Sequence, residues 1–137
     1  VVSGLYHSCA IGVDGTVTCW GAGNPNDTSG YDNCSPPARY NYGQATAPTG
    51  TFKQIAAGGY TTCGIKTDGT LACWGAGTTN GNCQSDYGAC GQALPPSGTF
   101  VEVAVGYTHA CAMTAAGKVQ CWGSNTGGKA TPPAELQ

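Results

Sequence analysis

Apolar and polar positions alternate along this chain in short runs, and one arrangement of them occurs three times. The clearest copy is Gly106-Tyr107-Thr108-His109-Ala110-Cys111-Ala112-Met113, then, after a turn, Lys118-Val119-Gln120-Cys121-Trp122-Gly123. The others are Gly4-Leu5-Tyr6-His7-Ser8-Cys9-Ala10-Ile11 with Thr16-Val17-Thr18-Cys19-Trp20-Gly21, and Gly59-Tyr60-Thr61-Thr62-Cys63-Gly64-Ile65 with Thr70-Leu71-Ala72-Cys73-Trp74-Gly75. Alternation with period two is the mark of a strand with one buried face. Between the two runs of each copy stands a turn: Val13-Asp14-Gly15-Thr16, Thr67-Asp68-Gly69-Thr70 and Ala115-Ala116-Gly117-Lys118. Asp-Gly between apolar runs predicts a β-hairpin, because glycine accepts the positive φ of a tight reversal. If Cys9 faces Cys19 across the hairpin, Ile11 must face Val17; the same arithmetic pairs Ile65 with Leu71 and Met113 with Val119. Trp20 then lies on the opposite face with Ala10 and Thr18. One hairpin buries too little to stand alone, so the units must stack on one another.

The segments between the hairpins also recur. Thr49-Gly50-Thr51-Phe52-Lys53-Gln54-Ile55 returns as Ser97-Gly98-Thr99-Phe100-Val101-Glu102-Val103. This reads as turn then strand, the passage from one unit to the next, with Phe52 and Phe100 buried where units meet. The repeat length, counted Cys9 to Cys63 to Cys111, is 54 and then 48 residues. Two longer polar loops follow the first two hairpins, Gly21 to Gly50 and Gly77 to Gly91, with Gly43-Gln44 re-entering the blade. No helical periodicity and no domain boundary is visible. The chain divides into units at about 1–50, 51–98 and 99–137.

Gly-x-x-His, a short apolar strand, Asp-Gly, a second strand and Trp-Gly together resemble the regulator-of-chromosome-condensation repeat, the blade of a β-propeller. The second copy departs by placing Thr62 where His7 and His109 stand. With Cys-Trp-Gly closing each hairpin, the chain is similar to the disulfide-bearing form found in crinkly-type receptor ectodomains and secreted bacterial propellers. The resemblance implies an all-β fold of three β-propeller-type blades of antiparallel strands, an incomplete propeller or repeat array, since the family's ring uses seven. It also implies action by surface contact. A fold of this kind does not by itself carry a function.

Charged residues make up only 9% of the chain, while Gly numbers 23. A quarter is usual for charge, so the surface is one that is covered or packed against neighbours. A net charge of −2 gives no electrostatic reason to hold nucleic acid or an anionic membrane. No apolar run reaches the ~18 residues of a membrane span. The chain begins without Met or a signal-type stretch and reads as a mature or excised segment.

Nine cysteines in 137 residues place the protein in an oxidising, extracellular setting. Zinc sites use close pairs such as Cys-x-x-Cys, and none occurs here. Disulfides are expected at Cys9–Cys19, Cys63–Cys73 and Cys111–Cys121, with a loop bridge Cys83–Cys90. Cys34 aligns with Cys83, but Tyr42 occupies the place of Cys90, which leaves Cys34 unpaired or joined to another chain.

No catalytic constellation can be assembled. His7 and His109 are explained by the repeat, Glu102 and Glu135 pair with nothing, and Asp14 and Asp68 are turn residues. The loop Asn26–Asn33 is rich in oxygen ligands but lacks the spacing of a calcium loop. Asn26-Asp27-Thr28 and Asn33-Cys34-Ser35 are glycosylation sequons on the longest loop. Tyr31, Tyr40, Tyr42 and Tyr87 could supply a loop recognition surface. The expected protein is thus non-enzymatic and free of cofactors and metals. Trp20, Trp74 and Trp122 pack blades together, beside Phe52 and Phe100. It is a secreted module for protein or glycan recognition, or alternatively a building block joined head to tail into a ring or extracellular fibre. In the second case its partners are copies of itself or further blades of the same polypeptide.

Overall fold

The computed structural model describes residues 1–23, 42–79 and 90–137. Within them lie three antiparallel three-stranded meanders: β1 (Val2–Ser3), β2 (His7–Ile11) and β3 (Val17–Gly21); β4 (Phe52–Gly58), β5 (Thr61–Lys66) and β6 (Leu71–Gly75); β7 (Glu102–Val105), β8 (His109–Met113) and β9 (Val119–Gly123). The fold is all-β, as the alternation implies, and the sheets do not close. The only helical pieces among the described residues are two single 3₁₀ turns, Thr126–Gly128 and Ala134–Leu136, in the segment after the last strand.

The register is the one that period two dictates. Cys9 faces Cys19 and Ile11 faces Val17; Cys63 faces Cys73 and Ile65 faces Leu71; Cys111 faces Cys121 and Met113 faces Val119. Each reversal is fixed by a side chain as well as by glycine. Asp14 Oδ1 accepts from the Thr16 amide at 3.0 Å and its hydroxyl at 2.8 Å, and Asp68 does the same for Thr70 at 2.9 and 2.7 Å. These bonds, formed to the ionised carboxylate, hold both groups below the usual carboxylate range. The third turn lacks the aspartate, and Thr114 Oγ1 instead accepts from the Lys118 amide at 3.2 Å.

The register corrects one alignment of the copies. His7 pairs with Gly21, His109 with Gly123, and it is Thr61 that pairs with Gly75. The residue in the histidine position of the second blade is therefore Thr61, not Thr62. The doublet Gly58-Gly59 allows two alignments on glycine; counting two residues back from each cysteine, as the strand pairing does, selects Thr61.

The blades lie side by side, with β4 against β1 and β2 on one flank and against β7 on the other. Every blade has a back face, carrying its cysteine rung, and a front face, carrying its tryptophan. Phe52 and Ile55 of the second blade cover the Cys9 rung of the first, in a cluster with Trp74 that also touches Val2, Ile11, Val17 and Cys19. Phe100 and Val103 of the third blade cover Cys63 and Ile65 of the second in the same way. Both phenylalanines are fully enclosed, and Cys9 and Cys63 have no exposed surface at all. The core is thus two slabs between three sheets, each built by a Phe-x-x-Ile/Val strand seated on a disulfide.

Cys9–Cys19, Cys63–Cys73 and Cys111–Cys121 are joined, with Cα atoms 4.0 to 4.1 Å apart. Cys90 is also disulfide-bonded. Cys83 and Cys34, like the sequons at Asn26 and Asn33, lie outside the described residues, as do Tyr31, Tyr40 and Tyr87.

The three tryptophans are not equivalent. Trp74 is buried and its indole N–H donates to the Gln44 carbonyl at 3.0 Å; Trp122, partly buried, donates to Gln92 at 2.8 Å. In both blades the acceptor stands thirty residues ahead, in the connector that enters the blade. Gln44 and Gln92 are fully buried there, so the Gly43-Gln44 stretch does dock on a blade, the second. Trp20 stands 49% exposed rather than packed between blades.

Candidate functional site

The turns that lead from the first to the second strand of each blade line up along one rim. They nest closely because of glycine. The Leu5 amide donates to the Gly59 carbonyl at 2.9 Å, and a Cβ on Gly59, which sits at φ +51°, would meet the Tyr107 carbonyl oxygen at 2.6 Å. No other residue type lets three turns approach so near.

On this rim the aromatic side chains gather. Tyr60 is at the centre, buried, with Tyr6 stacked on it at 5.7 Å, Tyr107 edge-on at 5.9 Å and Tyr42 tilted against it at 5.6 Å. Such ring pairs contribute about 0.5–1.5 kcal/mol each beyond their buried area. The outer members stay open to solvent: Leu5 is 54% exposed, Tyr6 48% and Tyr107 42%. Lys129 reaches the edge of the group, its ammonium donating to Thr108 Oγ1 at 2.8 Å. The result is a rigid aromatic surface with one cation beside it.

Of the loop tyrosines picked out from the sequence, Tyr42 is the one the structure describes, and it packs on this rim. Tyr6, Tyr60 and Tyr107 were not singled out. In strand register Tyr107 aligns with Leu5 and Gly59, while Tyr6 and Tyr60 align with Thr108. The shift of one residue hides the group from any column-by-column reading.

The two histidines do not meet. His7 is buried at the first blade interface, where Nε2 and Thr62 Oγ1 share a hydrogen bond of 2.6 Å. Burial pushes its imidazole below the ordinary range; burial first, then Lys129, does the same to His109. Each ring lies over its own glycine, since a Cβ on Gly4 or Gly106 would collide with it at 2.4 Å. His7 is thus a wedge between its own backbone and the neighbouring blade. Among the described residues no group of three or more His, Cys, Asp or Glu is placed to share a metal ion. No helix among them is long and apolar enough to cross a membrane.

The family model for the regulator of chromosome condensation (RCC1) repeat matches residues 1–26, 52–82 and 100–129, one match for each blade. The chain belongs to the RCC1 repeat family. Among solved structures it is similar to the ectodomain of the Physcomitrella patens receptor kinase CR4, at 27% identity and a TM-score of 0.59, over 88% of this chain and 27% of that one. It is also similar to the CRINKLY WD40 ectodomain of the Arabidopsis thaliana receptor kinase ACR4, at 26% identity and a TM-score of 0.58, over 88% of this chain and 36% of that one. Prp20p from Saccharomyces cerevisiae, a structure described together with its binding to Gsp1p and histones, shares the fold at 19% identity and a TM-score of 0.57, over 88% and 32%. No curated protein matches the chain. The RCC1 repeats described here span about a third of the length of these solved relatives. They form three consecutive blades of the propeller type.

Proposed function

We propose that this chain is a non-enzymatic, extracellular recognition module that binds a protein partner through the tyrosine rim. The observation that carries the reading is the joint exposure of Leu5, Tyr6 and Tyr107 around a buried Tyr60. Tyrosine supplies large contact area at low cost in side-chain entropy, and rings already fixed by stacking lose less on binding. The surface is neutral apart from Lys129, so it suits a partner offering apolar and hydrogen-bonding groups rather than a strongly charged one. Three hairpin disulfides support an oxidising compartment, and the plant receptor ectodomains among the relatives are extracellular by name.

The test is a screen of displayed extracellular proteins with the wild-type chain and with Leu5→Ser/Tyr6→Ser/Tyr107→Ser, which leaves Tyr60 in place. A partner should bind the wild type and lose at least about tenfold in affinity for the variant, since truncating aromatic anchors at an interface centre costs over ~1 kcal/mol each. Partners that bind both proteins equally, or a glycan array hit that ignores the three substitutions, would sink the rim as the site.

A further inference from the structure

Four phenols gathered on one rim are a place for chemistry as well as for contact. Tyr6 and Tyr60 come from different blades, yet their rings lie 5.7 Å apart and within 15° of parallel, an offset stack. Tyr107 and Tyr42 approach Tyr60 at similar range, 5.9 and 5.6 Å, but at 63° and 57°, the first edge-on and the second tilted. The stack is held by backbone: Leu5, next to Tyr6, donates its amide to the carbonyl of Gly59, next to Tyr60, at 2.9 Å. Tyr6 is 48% exposed and Tyr60 is buried, so a one-electron oxidant touches the outer ring and not the inner one. The other easily oxidised groups are few or shielded. Met113 is the single methionine and is partly buried. The cysteines among the described residues are all in disulfides, with no thiolate to enter the sulfur oxidation ladder. Trp20 is as exposed as Tyr6, but among the described residues no tyrosine ring stacks on it.

We propose that Tyr6 and Tyr60 are a site of oxidative cross-linking, joined as a dityrosine by a haem peroxidase with hydrogen peroxide as the oxidant. The unpaired electron of a phenoxyl radical lies in the π-system, above and below the ring, with density on the carbons ortho to oxygen. Two such radicals bond through their faces. The stacked pair presents faces to one another, while Tyr107 presents an edge, and this selects Tyr6 as the partner of Tyr60. The peroxidase takes one electron from Tyr6, whose hydroxyl proton passes to water. An electron and a proton then cross the stack from Tyr60 to Tyr6, and a second oxidation of Tyr6 completes the radical pair. A carbon–carbon bond forms between ortho positions, and the hydrogen on each joined carbon moves to its phenolic oxygen as the ring regains aromaticity. In balance, two phenols and one hydrogen peroxide give one dityrosine and two waters. The bond ties the first blade to the second at the rim. It needs no partner protein, so it stands apart from the recognition reading.

The intact, disulfide-bonded protein is treated with a haem peroxidase and hydrogen peroxide over a range of protein concentrations, then reduced, digested and mapped by mass spectrometry. The monomer should become lighter by two hydrogen atoms and gain the blue fluorescence of a biphenol, in a yield that does not change with protein concentration. Mapping should join the peptide that holds Tyr6 to the one that holds Tyr60. Tyr6→Phe and Tyr60→Phe each keep the stacked ring and remove only the phenol. Each should therefore lose this product while circular dichroism and the three hairpin disulfides stay as in the wild type. Linkage found only between copies overturns the proposal, as does a bond that uses Tyr107 or a tyrosine of the long loops in place of Tyr6 and Tyr60. So does oxidation that ends as oxygen on Met113 or Trp20 without coupling, or a cross-linked product that survives either substitution.

Discussion

Replacing Trp74 by alanine removes the residue that ties the second blade both to the first blade and to its own connector. The ring is 6% exposed, sits edge-on to Phe52 at 5.9 Å and holds the Gln44 carbonyl at 3.0 Å. Large-to-small changes at buried tryptophan cost about 3–5 kcal/mol, the spread depending on how far the surroundings collapse. Collapse is restricted here, because Phe52 is pinned through its amide to Gly15 and the second blade is cross-linked at Cys63–Cys73. The Gln44 carbonyl would also be left buried without its donor, a penalty of about 1–3 kcal/mol that overlaps with the first figure. The expected loss is therefore in the upper half of the range, about 4–5 kcal/mol. Trp20→Ala is the internal control: the residue is 49% exposed, so about 1 kcal/mol or less is expected. Denaturant melts of both variants under non-reducing conditions, with unchanged slope, measure the difference. A Trp74→Ala loss below about 1 kcal/mol, or equal losses at the two positions, would refute the clamp as a source of stability.

The other expectations are simpler. The double change Cys63→Ala/Cys73→Ala should cost about 2–3 kcal/mol in the same melts, as the cross-link closes a short loop; in graded reductant, mass spectrometry should find Cys111–Cys121 opened before the two bridges that lie under a phenylalanine. His7 is held below its ordinary value near 6.5 by burial, so the unfolded chain takes up its proton first. Stability present above about pH 6.5 should decline as pH falls below it, and His7→Asn should flatten that decline, with His109 leaving a residual slope in the same direction. Gly59→Ala should be more damaging than Gly43→Ala by at least about 1 kcal/mol, as both need positive φ but only the first would drive a Cβ into the Tyr107 carbonyl; thermal melts would show it.

The hairpins were legible because two independent local signals agree. A turn with glycine at fixed distance from two cysteines sets the register, and period two then assigns every neighbour, as Ile11–Val17 and Met113–Val119 illustrate. Phe52 and Phe100 were legible for the same reason, since their segments repeat. What depends on how blades sit against one another was not. The thirty-residue reach from Trp74 to Gln44 links positions that share no pattern, and it separates a buried tryptophan from the exposed Trp20 in an identical Cys-Trp-Gly context. The tyrosine rim needed the same third dimension: Tyr6 and Tyr107 occupy different columns of the repeat, yet both touch Tyr60. The histidine position differs for a smaller reason: aligned on its glycine doublet the second copy offers Thr62, and aligned on its cysteine, as the strands pair, it offers Thr61.

The complete enclosure of Cys9 and Cys63 bears on how the molecule is made. Once Phe52 has seated on the first rung, no oxidant can reach the Cys9 sulfur without lifting the second blade away, and only Cys19 keeps exposed surface. Oxidation of the first two hairpins is therefore least hindered before the hairpin that follows has docked, when both sulfurs of the rung are open. On a ribosome the chain delivers them in that order, first rung before first cover. A chain released into a reducing medium and oxidised later meets the steps in reverse, with the Cys9 and Cys63 thiols sealed under apolar slabs. Its yield of native protein then depends on how often neighbouring blades come apart as well as on how fast its thiols react.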